Sequence, residues 1–105
     1  MHKDILRAAM HIVKTEGYPS LSLRKLATTI EYSSAVIYLY FKNKEALEID
    51  LAKLGYQQLN SDIQIRCEHI SDPRKRLKSI LMTYSTFARV EKQLHMLIHE
   101  VEKRM

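Results

Sequence analysis

The chain has 105 residues, and its 46% hydrophobic content suits a folded protein with one domain, or one domain and part of another. Its formal net charge of +5 at pH 7 is compatible with a polyanionic partner but is too mild to identify one. A single cysteine, Cys67, excludes an internal disulfide, and no apolar run reaches the roughly 20 residues of a membrane span. We therefore expect a cytoplasmic protein with no membrane partner.

The sequence predicts an all-α fold, because only two glycines and two prolines interrupt it and no run of alternating β-branched residues appears. Apolar residues at helical spacing predict a first helix over 2–16, which Gly17 closes. Ser22 and Ser33 are N-cap candidates for two short helices that follow. Helices this short are marginal in water, so we expect them to pack on their neighbours.

Three longer helices are predicted after this pair. Asn43 is the N-cap candidate for a helix over 44–69, and Asp72 is the candidate for a helix over 73–90 that begins with a proline. The last helix is expected over 94–104. The residues predicted to face inward from the middle helix of the three are Leu77, Ile80, Leu81, Tyr84, Phe87 and Ala88.

Two features of these later helices have more than one interpretation. Gly55 is either a flexible point in the long helix or a site of close packing against a neighbour. His95 and His99 share a helical face at a spacing that can bind a metal, but the sequence supplies no third ligand. Surface or ligand-pocket histidines are the alternative, and we predict no metal site and no cofactor.

The stretch from 21 to 47 carries a spaced pattern of residues. Its members are Leu26, Ala27, Ser33, Tyr38, Phe41, Lys44 and Leu47. This pattern resembles the DNA-binding head of TetR-type transcriptional repressors, and the resemblance extends from residue 3 to about residue 50. It departs at Glu31, which stands where the family has a turn glycine and must therefore adopt a backbone geometry that glycine takes more easily.

The resemblance implies a three-helix helix-turn-helix head, followed by a long connecting helix and two further helices. It divides the chain into a DNA-binding domain over 1–47 and a partial ligand-binding and dimerisation domain over 48–105. In such motifs the second helix, here Ser34–Tyr40, enters the major groove. The predicted DNA-binding residues are Ser22, Arg24, Lys25, Thr28, Ser33, Ser34, Ala35, Val36, Tyr38, Leu39, Tyr40 and Lys44.

The roles within this set differ. No Arg, Lys, Asn or Gln lies between 33 and 39, so the strongest base-specific pairings are missing there and we expect modest, A·T-leaning readout. Tyr38 matches a family tyrosine whose hydroxyl meets phosphate, with a partly buried structural tyrosine as the alternative. Lys44 lies in the first turn of a helix, where free amides already favour an anion, so we predict a phosphate clamp. Ile37 is expected in the core.

The first functional hypothesis is a sequence-specific, ligand-responsive transcriptional repressor that binds double-stranded DNA at a palindromic operator. The resemblance implies a homodimer in a full-length form of about twice this length, and a small apolar effector. The alternative is a helical protein-interaction module that does not bind DNA. An enzyme is not expected, because no carboxylate pair, nucleophile-base set or phosphate-binding loop appears in the sequence.

Overall fold

The computed structural model describes residues 2–104, and every regular element among them is helical. The elements are α1 (His2–Glu16), a 3-10 turn (Tyr18–Ser20), α2 (Leu23–Thr29), α3 (Ser34–Tyr40), α4 (Lys44–Cys67), α5 (Pro73–Val90) and α6 (Lys92–Lys103). The predicted all-α fold is confirmed: a three-helix head precedes a long connecting helix and two further helices.

The predicted helix caps fix where the short helices begin. The hydroxyl oxygens of Ser22 and Ser33 accept hydrogen bonds from backbone amides three residues on, at 3.0 and 3.2 Å. Asn43 caps α4 in the same way at 2.9 Å, and Asp72 caps α5 at 3.0 Å. Each cap satisfies an amide that the first turn of its helix leaves unpaired, so local sequence sets these boundaries.

The turn between α2 and α3 requires a left-handed residue, and Glu31 supplies it with a φ of 59°. Its amide donates to the carbonyl of Thr28 at 3.3 Å, and the amide of Tyr32 donates to the carbonyl of Ala27 at 2.9 Å. These two bonds form a Schellman motif, which closes α2 and turns the chain into α3. The expected glycine-like geometry of Glu31 is therefore confirmed.

One hydrophobic core runs through the molecule, which measures 52 × 25 × 24 Å. Ile12 of α1, Leu26 of α2 and Ile37 of α3 are fully buried, and Ile37 lies in the core as predicted. The same cluster continues through Leu51 of α4 to Leu97 of α6. Because the core is continuous from the head to α6, a division into domains at residue 47 stays a prediction.

The predicted inward face of α5 is wrong in part. Leu77, Leu81 and Tyr84 are 57%, 58% and 47% exposed, whereas Thr83 and Phe87 are buried. The helix is turned so that its short polar side chains face the neighbouring helices. The hydroxyl of Ser79, one turn before Thr83, lies 3.3 Å from the thiol sulfur of buried Cys67 on α4.

Two helix ends differ from the prediction. α4 ends at Cys67 instead of residue 69, where the guanidinium of Arg76 donates a 2.8 Å hydrogen bond to the Cys67 carbonyl. α6 begins at Lys92 instead of residue 94, and Glu91 alone interrupts the helical course after α5. The end of α4 depends on a contact with Arg76, nine residues further on, and the start of α6 depends on the backbone conformation of Glu91. Hydrophobic periodicity shows neither.

Gly55 is a site of close packing. A Cβ atom at this position would lie 2.8 Å from Cδ1 of Ile98 and 3.1 Å from Cδ1 of Leu94. Both side chains belong to α6, so the glycine allows α6 to approach α4 closely. Of the two interpretations from sequence, the structure supports contact with a neighbour.

Candidate nucleic-acid interface

One face of α3 is open to solvent. Ser34, Ala35, Tyr38 and Leu39 are exposed, and at 3.6 residues per turn these four positions share one side of the helix. Leu39 is 82% exposed, while Ile37 on the opposite side is fully buried. A helix that buries one side and presents a large exposed leucine on the other has a surface suited to a groove or partner.

Two of the predicted DNA-binding residues of α3 lie off this face. Val36 is half-buried, and its amide is engaged by the Ser33 cap. Tyr40 lies toward the N-terminus of α1, with its ring centroid 6.3 Å from that of His2. Contacts of Val36 and Tyr40 with bases stay predictions. Such contacts require α3 to approach the DNA more closely than contacts from Ser34 and Ala35 do.

Tyr38 is open enough to reach a phosphate. Its side chain is 56% exposed, so the alternative of a partly buried structural tyrosine stays open beside the phosphate contact. A phenolic hydroxyl can donate one hydrogen bond, and a phosphate oxygen accepts it. The predicted contact between Tyr38 and the DNA backbone is therefore sterically available.

The hydroxyl groups of Ser22, Thr28 and Ser33 differ in the hydrogen bonds that they can still form. The oxygens of Ser22 and Ser33 accept from backbone amides as caps, so their hydroxyl protons remain available to a phosphate. Thr28 instead donates its proton to the carbonyl of Arg24 at 3.1 Å. A phosphate contact from Thr28 would require that bond to break, so Thr28 is the weakest candidate of the three.

The predicted cations of α2 also differ. Arg24 is exposed and has no ion-pair partner among residues 2–104. The ammonium of Lys25 forms an ion pair with the carboxylate of Glu16 at the end of α1. This pairing reduces the positive charge that Lys25 offers to DNA. Sequence reasoning missed it because nine residues and a turn separate the partners.

Lys44 lies at the first position of α4, directly after the Asn43 cap. It is half-buried, and its Nζ lies 5.9 Å from the centre of the Tyr18 ring. A cation within about 6 Å of an aromatic face is attracted by the ring. Sequence reasoning missed Tyr18, which belongs to the 3-10 turn after α1 and meets Lys44 only in the folded chain.

The histidine pair of α6 does not form a metal site with the residues around it. Nε2 of His95 lies 3.3 Å from the Tyr84 hydroxyl, and the two rings meet edge to face. Within the described part of the chain, no group of three or more His, Cys, Asp or Glu side chains is arranged to hold a metal ion. No helix between residues 2 and 104 has the length and hydropathy needed to cross a membrane.

Comparison with known proteins adds to this geometry. Residues 5–50 match the family described as bacterial regulatory proteins, tetR family. The HTH-type transcriptional repressor NicS of Pseudomonas putida is 27% identical over 79 residues, which make up 74% of this chain and 37% of the repressor. The fatty acid metabolism regulator protein of Bacillus subtilis is 36% identical over 52 residues, or 50% of this chain and 27% of the regulator.

A solved structure shares the fold. The crystal structure of apo AibR matches 99% of this chain and 59% of its own, with a TM-score of 0.66 and 23% sequence identity. At that identity the likeness establishes the helical architecture alone. The chain spans well under half the length of the two curated relatives it matches.

Proposed function

We propose that the chain is a sequence-specific DNA-binding transcriptional regulator, because residues 5–50 match the tetR family of bacterial regulatory proteins. The observation that carries the proposal is the exposed face of α3, where Ser34, Tyr38 and Leu39 stand open on the second helix of the motif. Bacterial DNA lies in the cytoplasm, so we propose that the protein works there.

Sequence readout comes from the start of α3. The hydroxyl of Ser34 can bond to several base edges, and Ala35 can pack against a thymine methyl group. Leu39 adds apolar contact further along the same face. Without a side chain that pairs bidentately with guanine or adenine on this face, discrimination is modest and leans toward A·T pairs.

The DNA backbone supplies the larger share of affinity. Lys44 adds a positive charge to the N-terminal amides of α4, which already favour an anion. The exposed hydroxyl of Tyr38 and the uncommitted guanidinium of Arg24 extend the same kind of contact. Contacts of this type fix the position of the head on the duplex without reading its sequence.

We further propose that the working form is a homodimeric, ligand-responsive repressor on a palindromic operator. Two heads related by two-fold symmetry read half-sites about 34–36 Å apart, or a multiple of that. One of the similar proteins, NicS, is a transcriptional repressor by name. For the effector, the chain offers an open apolar face on α5, where Leu77, Leu81 and Met82 are exposed.

The competing function is a helical protein-interaction module. Its supporting observation is the same exposed Leu39, since an apolar helix face also suits a partner helix. Salt separates the two functions. DNA binding releases counterions from the duplex, and added salt makes that release less favourable, so affinity for DNA falls steeply as the salt concentration rises. The affinity of an apolar interface does not fall in this way.

The test is selection of binding sites from random duplex DNA by the chain at two salt concentrations. Enrichment of an inverted repeat supports the dimeric regulator and gives the half-site spacing. Enrichment of a single half-site supports DNA recognition and contradicts dimerisation by this chain alone. If the folded protein enriches nothing, the DNA-binding proposal is wrong and the interaction module replaces it.

A further inference from the structure

A buried carboxylate lies one helical turn beyond the proposed phosphate clamp. Glu48 of α4 is 1% exposed, and it follows Lys44 by four residues on the same helix face. Residues at this spacing are neighbours, so a Glu48 side chain that nothing else held would lie within reach of an ion pair with Lys44. Such a pair would cancel the charge that a phosphate needs.

The structure shows a different pairing. The guanidinium of Arg104, just after the end of α6, donates to Oε1 of Glu48 at 2.9 Å. The second oxygen, Oε2, is buried as well. The bond to Glu48 also raises the pKa of Arg104. Glu48 is thus held by α6 and not by its neighbour on α4.

Lys44 is left without an ion-pair partner among residues 2–104, and its ammonium rests instead near the Tyr18 ring. Tyr18 is itself fixed by α6, because its backbone amide donates to Oε1 of Gln93 at 2.8 Å. Burial, followed by the charge of Glu48 and a side-chain hydrogen bond with the same carboxylate, raises the pKa of the Tyr18 hydroxyl. One contiguous cluster is therefore formed by the side chains of Lys44, Tyr18, Glu48 and Arg104.

We propose that Arg104 is a positioning residue for DNA binding: by holding Glu48 it keeps Lys44, resting beside Tyr18, free to meet a DNA phosphate. The inference rests on the proposed DNA-binding function. It assigns a role in that function to a residue of α6, which lies outside the helix-turn-helix and outside the stretch that matches the family.

The test measures affinity and salt dependence for a 30-base-pair duplex of random sequence, because phosphate contacts do not depend on an operator. Arg104→Gln should weaken binding roughly ten-fold, as the loss of one charge-assisted phosphate contact would. It should also reduce the slope of log affinity against log salt by about 0.9, since one fewer phosphate is neutralised. Lys44→Ala should give the same two changes, and Lys53→Ala, an exposed lysine further along α4, should give neither.

A rescue variant separates positioning from folding. Arg104→Gln combined with Glu48→Gln removes both charges, leaves Lys44 free, and should restore the affinity and the slope of the wild type. A matched pair probes the ring: Tyr18→Leu should weaken binding about two- to five-fold at unchanged slope, while Tyr18→Phe should not. The Tyr18 pair remains informative even if Arg104→Gln alone does not fold.

The outcomes are distinguishable. If the wild type binds DNA with steep salt dependence but folded Arg104→Gln keeps its affinity and slope, the positioning role is wrong and the proposed function stands. The same holds if the double variant stays as weak as Arg104→Gln, or if Tyr18→Leu binds as tightly as the wild type. If the wild type does not bind the duplex at low salt, the proposed function fails and the inference fails with it.

Discussion

The head and α5 place their apolar side chains in opposite ways. In the head, Leu26 and Ile37 are fully buried in the hydrophobic core. On α5, Leu77 and Leu81 are more than half exposed, although they recur at helical spacing as the head residues do. The difference teaches that an amphipathic pattern identifies a helix face but does not determine which element, if any, covers it.

The largest expected effect tests this comparison directly. Ile37→Ala should lower the free energy of unfolding by about 2–5 kcal/mol, because it leaves a cavity in a fully buried part of the head. Leu81→Ala on α5 should change it by no more than about 0.5 kcal/mol, because that side chain is already in water. Urea denaturation of the two variants is the measurement. Equal losses would mean that the α5 face is covered in solution.

A second variant sharpens the contrast between local and distant determinants. Gly55→Val should destabilise the fold by about 1–3 kcal/mol, because its side chain would overpack against Leu94 and Ile98 of α6. Gly55→Ala should destabilise the fold less than Gly55→Val. Its gain in helix propensity of about 1 kcal/mol offsets a clash with the ends of the Leu94 and Ile98 side chains, which can move. Thermal unfolding distinguishes them. A stabilised Gly55→Val would show that α4 and α6 are not in close contact.

The turn of the head offers a stabilising substitution. Glu31→Gly should raise the free energy of unfolding by about 1 kcal/mol, because glycine adopts the left-handed backbone without the penalty of a side chain. For a domain of this size, the melting temperature should rise by roughly 5 °C. Glu31→Ala is the control and should give no such gain. A lower melting temperature for Glu31→Gly would indicate that the Glu31 side chain itself stabilises the turn.

The smallest expected effect concerns Glu91, which follows α5 and contacts Lys14 of α1 and Gln58 of α4. A hydrogen bond from Gln58 of α4, and then the charge of Lys14 of α1, lower the pKa of the Glu91 carboxyl. Because the folded pKa lies below the unfolded one, this contribution to stability is complete above the unfolded pKa and is lost as the pH falls through the folded pKa.

The stability of the wild type should therefore fall more between about pH 6 and pH 3 than that of Glu91→Gln, because the Glu91 carboxyl of the unfolded chain has a pKa of about 4.3. Urea denaturation across this range checks it. Glu68→Gln, an exposed position just after α4, should follow the wild type. Parallel pH profiles for the wild type and Glu91→Gln would contradict the contribution of Glu91.

Much of the fold was predictable because its signals are local. The side chains of Ser22, Ser33 and Asn43 cap helices within three residues of themselves, so the sequence alone locates those helix starts. Periodicity likewise predicted a last helix, and Leu94 and Leu97 are buried on it. For the candidate interface, the pattern placed the recognition helix correctly within the fold, and the DNA contacts of its residues stay predictions.

The rest depends on residues that meet only across the folded chain. The pairing of Lys25 with Glu16, the approach of Lys44 to Tyr18, and the orientation of α5 all join separate elements. The helices, their caps and the left-handed turn follow from the amino-acid sequence, because they depend on neighbours a few bonds away. The charges that remain free for DNA and the apolar faces that remain open emerge only in the folded chain, because both follow from how whole helices pack.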